Sequence, residues 1–288
     1  MIELILLKLL GKTKMKLDTI LDSNINIHGV DFSLEDGSFN LTGFTTFYTG
    51  FIGKVLKIFE NRAALPLAIN KTEQSKAAQL INKAKATDLE HFTIITPEYV
   101  SGPIIPYLET LHSVFKEVID IEDRLLKPLE QWAANMITDP TYGEKAWISI
   151  PLNVYKEEAT TDKLHKFFND SVSGGTANRL FIATYKDSKG LDNATTIITD
   201  LNILSNKALS GKLAQRATSV SKLIHQLASA KNTANELSVI NKEKLQPVVE
   251  LAAQTAKELE SISICLYLTH TAGYAHNESI DKIIKNFK

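Results

Sequence analysis

The sequence is poor in residues that support disulfide or zinc chemistry. Its 288 residues contain a single cysteine, Cys265, which excludes an intramolecular disulfide and a cysteine-based zinc cluster. Cys265 lies in the segment SISICLYL, whose pattern predicts a buried helix face and a structural role for the thiol. The formal net charge is −1, so the sequence predicts no whole-molecule attraction to nucleic acid or to an acidic membrane.

The chain also has no apolar run of the roughly 20 residues that a membrane-spanning helix needs. Its first residues, MIELILLKLLGKTKMK, are apolar but lack a basic leading region and a small-residue cleavage site. We therefore expect no secretory signal peptide. The segment predicts an amphipathic first helix, with a membrane or partner anchor as the alternative.

Motifs that would carry catalysis are missing as well. The chain has no G-x-S-x-G, no phosphate-binding G-x-x-x-x-G-K-[ST] and no G-x-G-x-x-G. Glu109 and His112 form one E-x-x-H pair, which aims both side chains at a metal in some helical bundles. A dinuclear site needs a second such pair, and the chain has none. The sequence predicts no metal, no cofactor and no enzyme; an enzyme with dispersed catalytic residues is the alternative.

A long amphipathic pattern between residues 101 and 140 organises the chain. Pro103 and Pro106 suit a helix start, because a first-turn proline loses no intrahelical bond, and Pro140 suits its end. Pro128 lies inside the pattern and predicts a kink. The apolar residues recur at steps of three, four and seven, which puts them on one helix face. They are Leu108, Leu111, Phe115, Val118, Leu125, Leu129, Trp132 and Met136.

The last hundred residues predict two further long helices. The first runs from about residue 195 to 232, with a break or bend at Ser210 and Gly211. The second starts near residue 241 or 247 and ends at Gly273, before a short C-terminal helix. Its apolar and small residues repeat every seven positions. Such a repeat predicts that the two long helices form an antiparallel hairpin.

The extended segments are fewer. Residues 25–41 nearly alternate in polarity around an Asp-Gly turn, which predicts a β-hairpin near the N-terminus. Thr96-Pro97-Glu98 has the pattern of a helix start. Residues 179–185 fit a strand and a helix equally, and Lys189-Gly190 predicts their end. We expect residues 141–190 to form an irregular crossover.

Together these patterns predict a mainly α protein. The expected architecture is an elongated helical bundle with long antiparallel helices and a small N-terminal β-hairpin. Residues 1–60 would hold the first helix, the hairpin and a segment rich in aromatic residues and glycine. Residues 61–288 would form the helical domain.

Two sets of residues are candidate interaction surfaces. One is a group of aromatic residues between glycines, which predicts either part of a core or a surface that contacts a partner or another subunit. Its members are Phe39, Phe44, Phe47, Tyr48 and Phe51. The other is a basic face in residues 201–235, a stretch without any acidic residue. Its members are Lys207, Lys212, Arg216, Lys222 and Lys231.

The charge of this basic stretch is opposite to that of residues 98–130 and 236–260, which are rich in acids. The segregation predicts that helices of opposite charge pack side by side. The alternative is a basic face offered to nucleic acid or to an acidic partner. No aromatic residues interleave with these basic residues for base stacking, which weakens the nucleic-acid interpretation.

In composition the whole chain resembles the virion proteins of tailed bacteriophages. The features that carry the resemblance are the abundance of Lys, Asn and Ile, the long helices rich in Ala, Ser and Thr, the N-terminal β element and the missing active-site motifs. The resemblance implies a structural or assembly role in a particle. The partners would then be other copies of the chain or other virion proteins, and the location would be the virion, or the host cytoplasm during assembly. A helical protein that acts on a membrane through its apolar N-terminus is the alternative function.

Overall fold

The structure, a computed structural model, describes residues 50, 53, 69–138, 176–210, 212–229 and 242–287. Helices hold 81% of these residues, which confirms the prediction of a mainly α protein. The predicted hairpin at residues 25–41 and the boundary at residue 60 lie outside the described residues.

Helices α1 to α8 follow one another along the chain, with a π-helical turn between α3 and α4 and two strands that form an antiparallel sheet. The helices are α1 (Lys71–Lys83), α2 (Ala86–Glu90), α3 (Ile104–Val118), the π-helical turn (Glu122–Leu126), α4 (Lys127–Thr138), α5 (Phe181–Thr184), α6 (Ser188–Leu209), α7 (Lys212–Ser229) and α8 (Lys242–Asn286). The strands are β1 (Thr93–Pro97) and β2 (Thr176–Leu180).

Helix α8 lies at the centre of the fold. It packs against β1, α1, α3 and α6, and every side chain from Ser261 to Thr269 is buried. A helix enclosed on all sides normally needs apolar residues all round. Here small hydroxyl residues replace some of them, and Ser263 Oγ donates to the carbonyl of Leu259 at 3.0 Å. Such a bond within the helix satisfies the buried hydroxyl without a partner from another element.

The segment between residues 101 and 140 confirms the predicted one-sided helix. The predicted apolar stripe is buried from Leu108 to Trp132; the side chain of Met136 and residue Pro140 are not among those described. The helix is interrupted after Val118, and the π-helical turn that follows ends at Leu126, two residues before Pro128; the kink at Pro128 stays a prediction. In this turn the N–H of Lys127 donates to the carbonyl of Glu122. The wider turn is a common way to accommodate a helix irregularity.

The sheet corrects one prediction. Thr96 and Pro97 do not begin a helix but end strand β1, which pairs with β2 in the register Thr93 to Leu180 and Pro97 to Thr176. A proline is tolerated at a strand position whose N–H would not enter the ladder. The run TIITP is rich in β-branched residues, and this propensity prevailed over the resemblance to a helix cap.

Residues 179–185, which fitted both a strand and a helix, contain both. The strand ends at Leu180, and the N–H of Phe181 still reaches the carbonyl of Phe92 at 2.8 Å. The carbonyl of Phe181 then accepts from the N–H of Tyr185 at 2.8 Å, which starts α5. The change from strand to helix therefore takes place within one residue.

The prediction that Lys189 and Gly190 close an irregular region was wrong. Both lie in the first turn of α6, because the side chain of Asp187 accepts from the N–H of Gly190 at 2.9 Å and caps the helix. Residues 176–190, expected to be irregular, therefore contain β2, α5 and the start of α6.

Gly273 does not end a helix either, since α8 continues to Asn286. A glycine inside a helix costs about 1 kcal/mol relative to alanine, and the burial of Ala272, Ala275 and Ile280 around it offsets that cost. The break predicted at Ser210 is confirmed, because α6 ends at Leu209 and α7 begins at Lys212. The predicted hairpin of α7 with α8 stays a prediction, because the side chains of residues 242–254 are not described.

Gly190 provides a test of this packing. A Cβ atom at Gly190 would meet the carbonyl oxygen of Tyr185 at 1.8 Å, whereas one at Gly102 would meet nothing within 4 Å. We expect Gly190→Ala to lower the free energy of unfolding by about 1–3 kcal/mol, the usual cost of overpacking, although alanine is the better helix former.

Chemical denaturation of both variants measures this difference. Gly102→Ala is the control and should change the free energy of unfolding by less than about 0.5 kcal/mol. A Gly190→Ala variant as stable as the wild type would show that the approach of α5 to α6 is misplaced.

Candidate functional site

A buried polar network joins α5, α6 and α8. His276 of α8 is 1% exposed, and its Nδ1 lies 2.7 Å from the hydroxyl of Tyr185. Its Nε2 lies 2.8 Å from Oγ1 of Thr195. Both ring nitrogens therefore have partners, as a buried imidazole requires. Burial lowers the pKa of His276 to about 4, because a positive charge is disfavoured away from water.

The hydrogen bonds assign the tautomer of this histidine. Thr195 Oγ1 also lies 3.0 Å from the carbonyl of Leu191, to which it donates its single proton. The Thr195 oxygen must then accept from His276, so the neutral ring carries its proton on Nε2. Nδ1 consequently accepts from the hydroxyl of Tyr185. Burial raises the pKa of that hydroxyl well above its usual range, which keeps the donor proton in place.

One turn further along α8, Ser279 closes one edge of the sheet. Its Oγ accepts from the N–H of Ile95 at 3.1 Å and donates to the carbonyl of Ile95 at 2.6 Å. A single side chain thus satisfies both outward backbone groups of Ile95, and the carbonyl of Pro97 accepts from the N–H of Val100 at 3.0 Å. The edge of β1 is therefore occupied at Ile95 and at Pro97.

Within the described ranges, no side chain covers the other edge of the sheet in this way. Along an antiparallel ladder, residue pairs that exchange hydrogen bonds alternate with pairs that do not. The N–H of Phe181 bonds to the carbonyl of Phe92. The hydrogen-bonded pairs of this sheet are therefore Ile94–Arg179 and Thr96–Ala177. The N–H and carbonyl groups of Thr176 and Asn178 and the N–H of Leu180 must then point away from β1. None of these groups has a hydrogen-bond partner in the part of the chain that the structure describes. The carbonyl of Leu180 accepts from Oγ1 of Thr184 at 3.1 Å.

Two large apolar side chains lie beside this outer edge of β2. Leu180 is 45% exposed and Ile182 is 40% exposed. An open strand edge next to exposed apolar side chains is a typical site for pairing with another strand. This outer edge, defined by Thr176, Asn178, Leu180 and Ile182, is the candidate functional site.

The residues of the predicted basic face differ in their surroundings. Arg216 contacts two acids, with its Nε 3.2 Å from Glu122 and its Nη1 hydrogen-bonded to Glu130. Lys207 lies 3.1 Å from Asp120. Lys212 and Lys222 are exposed, and Lys231 lies outside the described residues. α6 packs against α3, and α7 packs against α4 and the π-helical turn, so the basic stretch lies beside the acidic residues 98–130 as predicted. Its packing against residues 236–260 stays a prediction.

The other predicted candidates are placed as follows. Cys265 is buried as predicted, and burial, with a smaller contribution from Glu258, raises the pKa of its thiol far above the usual value. Glu109 is exposed and His112 partly exposed, and the described residues contain no group of three His, Cys, Asp or Glu that could hold a metal. The aromatic residues Phe39, Phe44, Phe47, Tyr48 and Phe51 lie outside the described residues.

Sequence reasoning missed both the His276 network and the edge of β2. Tyr185, Thr195 and His276 share no motif, and they meet only because α5, α6 and α8 pack together. The edge could have been found from the β-branched run at Thr93–Pro97, had that run been interpreted as a strand.

Comparisons with known proteins give no relative: no protein-family model, no curated protein and no solved structure matches this chain. Across the described helices, none combines the length and apolar character required to cross a bilayer. The function must therefore be argued from the geometry alone.

The His276 network predicts a dependence of stability on pH. The pKa of about 4 in the folded state lies below the unfolded value of 6.5, so the unfolded chain binds the proton first as the pH falls. Stability is then unaffected above about pH 6.5 and is lost towards pH 4, by about 3 kcal/mol. Urea denaturation of the wild type and of His276→Gln, which cannot take up this proton, measures the loss.

Both proteins have the same carboxylates. The difference between their losses of unfolding free energy therefore measures the contribution of His276 alone. We expect the wild type to lose more stability than the variant between pH 7 and pH 4. Parallel curves would show that His276 is not enclosed in the solution state.

The ion pairs of the basic stretch give a second prediction. Arg216 and both of its partners are less than a third exposed, whereas Lys207 is 59% and Asp120 71% exposed. We expect Arg216→Ala to cost about 1–3 kcal/mol of unfolding free energy, because two partly buried carboxylates lose their donor. Lys207→Ala should cost less than about 0.5 kcal/mol, because water screens an exposed pair.

Thermal and urea unfolding of the two variants provide the measurement, with Arg216→Lys as a further comparison. Lysine cannot present two donors in a fixed fork, so it should recover only part of the loss. Equal costs for Arg216→Ala and Lys207→Ala would contradict the proposed contact between α4 and α7.

Proposed function

We propose that this chain is a non-enzymatic structural or assembly protein that acts through protein–protein contacts. The observation that carries the proposal is the open outer edge of β2, beside the exposed side chains of Leu180 and Ile182. Backbone donors and acceptors left unpaired in a strand are a template for another strand. Exposed apolar residues next to them favour association over solvation.

The arrangement of the titratable groups also supports this proposal over an enzyme. Of the most strongly perturbed groups, His276, Tyr185 and Cys265 are buried in the core, and Tyr99 is partly buried against it. The hydroxyl of Tyr99 donates to the carbonyl of Leu268 at 3.1 Å, so its proton, like that of Tyr185, serves the packing of α8. Catalytic groups would instead be expected to line a concave pocket.

Two described surface hollows are each lined by one helix, namely residues 71–79 of α1 and residues 221–226 of α7. A ligand site usually combines polar groups from several elements in an apolar cleft. These hollows have neither property.

The resemblance in composition extends the proposal to a component of a phage virion. On this proposal the partners are other copies of the chain or other virion proteins, and the protein is found in the particle or in the host cytoplasm during assembly. The elongated bundle of long antiparallel helices and the N-terminal hairpin belong to the same proposal.

Native mass spectrometry of the purified protein at micromolar concentration, followed by a pull-down from the source particle or lysate, tests the proposal. We expect an oligomer or a stoichiometric complex with another structural protein. A clean monomer without a partner, together with turnover of a small substrate, would overturn the proposal. Binding to liposomes that is lost on deletion of residues 1–14 would favour the membrane alternative.

A further inference from the structure

We propose that the outer edge of β2 pairs with the same edge of a second copy of this chain, in an antiparallel arrangement with its two-fold axis at Asn178. The inference rests on the proposed function and names the surface and the partner. The result would be a continuous sheet of four strands in the order β1, β2, β2 of the second copy and β1 of the second copy.

The hydrogen-bonding groups of the edge are complementary to themselves. With the axis at Asn178, the N–H and carbonyl of this residue exchange bonds with those of the same residue in the other copy. Thr176 then lies opposite Leu180 of the second copy, and the free N–H of Leu180 reaches the free carbonyl of Thr176. The carbonyl of Leu180 is already used by Thr184, so the N–H of Thr176 is left at the end of the ladder.

The side chains permit the same register. The small side chain of Ala177 would lie opposite the long side chain of Arg179 in the second copy, so the two do not compete for space. Leu180 would be covered by Thr176 of the other copy, which lowers the exposed apolar area at this edge. Ile182 follows immediately and extends the contact beyond the strand.

Of the two edges of the described sheet, that of β2 has more backbone groups without a partner among the described residues. Ser279 already occupies the backbone groups of Ile95 on the opposite side. Addition at β2 therefore ends after two copies, because Ser279 of α8 occupies the centre of the β1 edge at each end of the resulting sheet. A closed dimer rather than a fibre is the expected product.

Charge sets the conditions for the dimer. Lys282 lies within hydrogen-bonding distance of Thr93 at 3.1 Å and of the Asn178 side chain at 3.4 Å, and Arg179 is next in the strand. Both copies would bring these positive charges towards the axis. We therefore expect the dimer to strengthen as salt screens the repulsion.

Sedimentation velocity of the full chain over a range of concentrations tests the proposal. Asn178→Pro removes an outward N–H without touching the ladder to β1, a substitution that edge strands tolerate. We expect the variant to dimerise at least about tenfold more weakly than the wild type. Ile203→Lys is the matched control. Ile203 is 61% exposed, but it lies about 22 Å along α6 from the start of that helix and therefore away from β2. We expect this variant to dimerise as the wild type does.

Disulfide cross-linking tests the register between the two β2 strands directly, without the proline variant. In the proposed dimer the two Asn178 Cα atoms lie about 5.5 Å apart, within disulfide reach. Asn178→Cys should therefore form a covalent dimer on mild oxidation. Ala177→Cys should not form one, because residue 177 of one copy and residue 177 of the second copy are diagonal neighbours, about 7–8 Å apart. The native Cys265 is buried and gives the background in the wild type.

The outcomes separate this inference from the proposed function. A wild-type protein that assembles, but whose Asn178→Cys variant cross-links no more than Ala177→Cys, overturns the inference and leaves the proposed function standing. Capture of a strand from a different protein, or of another segment of the same chain, at this edge would overturn it too. A wild-type monomer without any partner overturns the inference, and turnover of a small substrate by that monomer overturns the proposed function as well.

Discussion

The enclosure of α8 is the constraint on which the rest of this structure depends. Between Ser261 and Thr269 the helix has no exposed face, so the surrounding elements must cover it on every side. β1, α1, α3 and α6 do so, although they come from distant parts of the sequence. The cost of burying hydroxyl groups is kept low by bonds within the helix, as Ser263 shows.

The same helix also organises the sheet. Two strands alone are marginally stable in water, and β1 and β2 are held because α8 contributes Ser279 to the backbone of Ile95. His276, one turn earlier, ties α5 and α6 to the same helix through Tyr185 and Thr195. The polar residues of α8 therefore place the sheet, and among the described residues the outer edge of β2 is left for an external partner.

Electrostatics has a smaller and more local role. The basic residues of α6 and α7 differ in their surroundings: Arg216 is held between Glu122 and Glu130, whereas Lys207 reaches the exposed Asp120. The first arrangement aligns α7 with α4, because a guanidinium can bridge two carboxylates in one geometry. The second is open to water and adds little. Opposite charge in the sequence thus indicated the neighbours of these helices but not which residues would meet.

The sequence by itself determined the helical class, the buried stripe from Leu108 to Trp132, the break after Leu209 and the burial of Cys265. All of these depend on periodicity or on backbone restrictions that act within a few residues. Only the tertiary structure decided that Thr93–Pro97 is a strand and that α8 passes through Gly273, because pairing and packing outweigh local propensity there. The meeting of Tyr185, Thr195 and His276, and the open edge of β2, depend on contacts between residues about 80 to 90 positions apart.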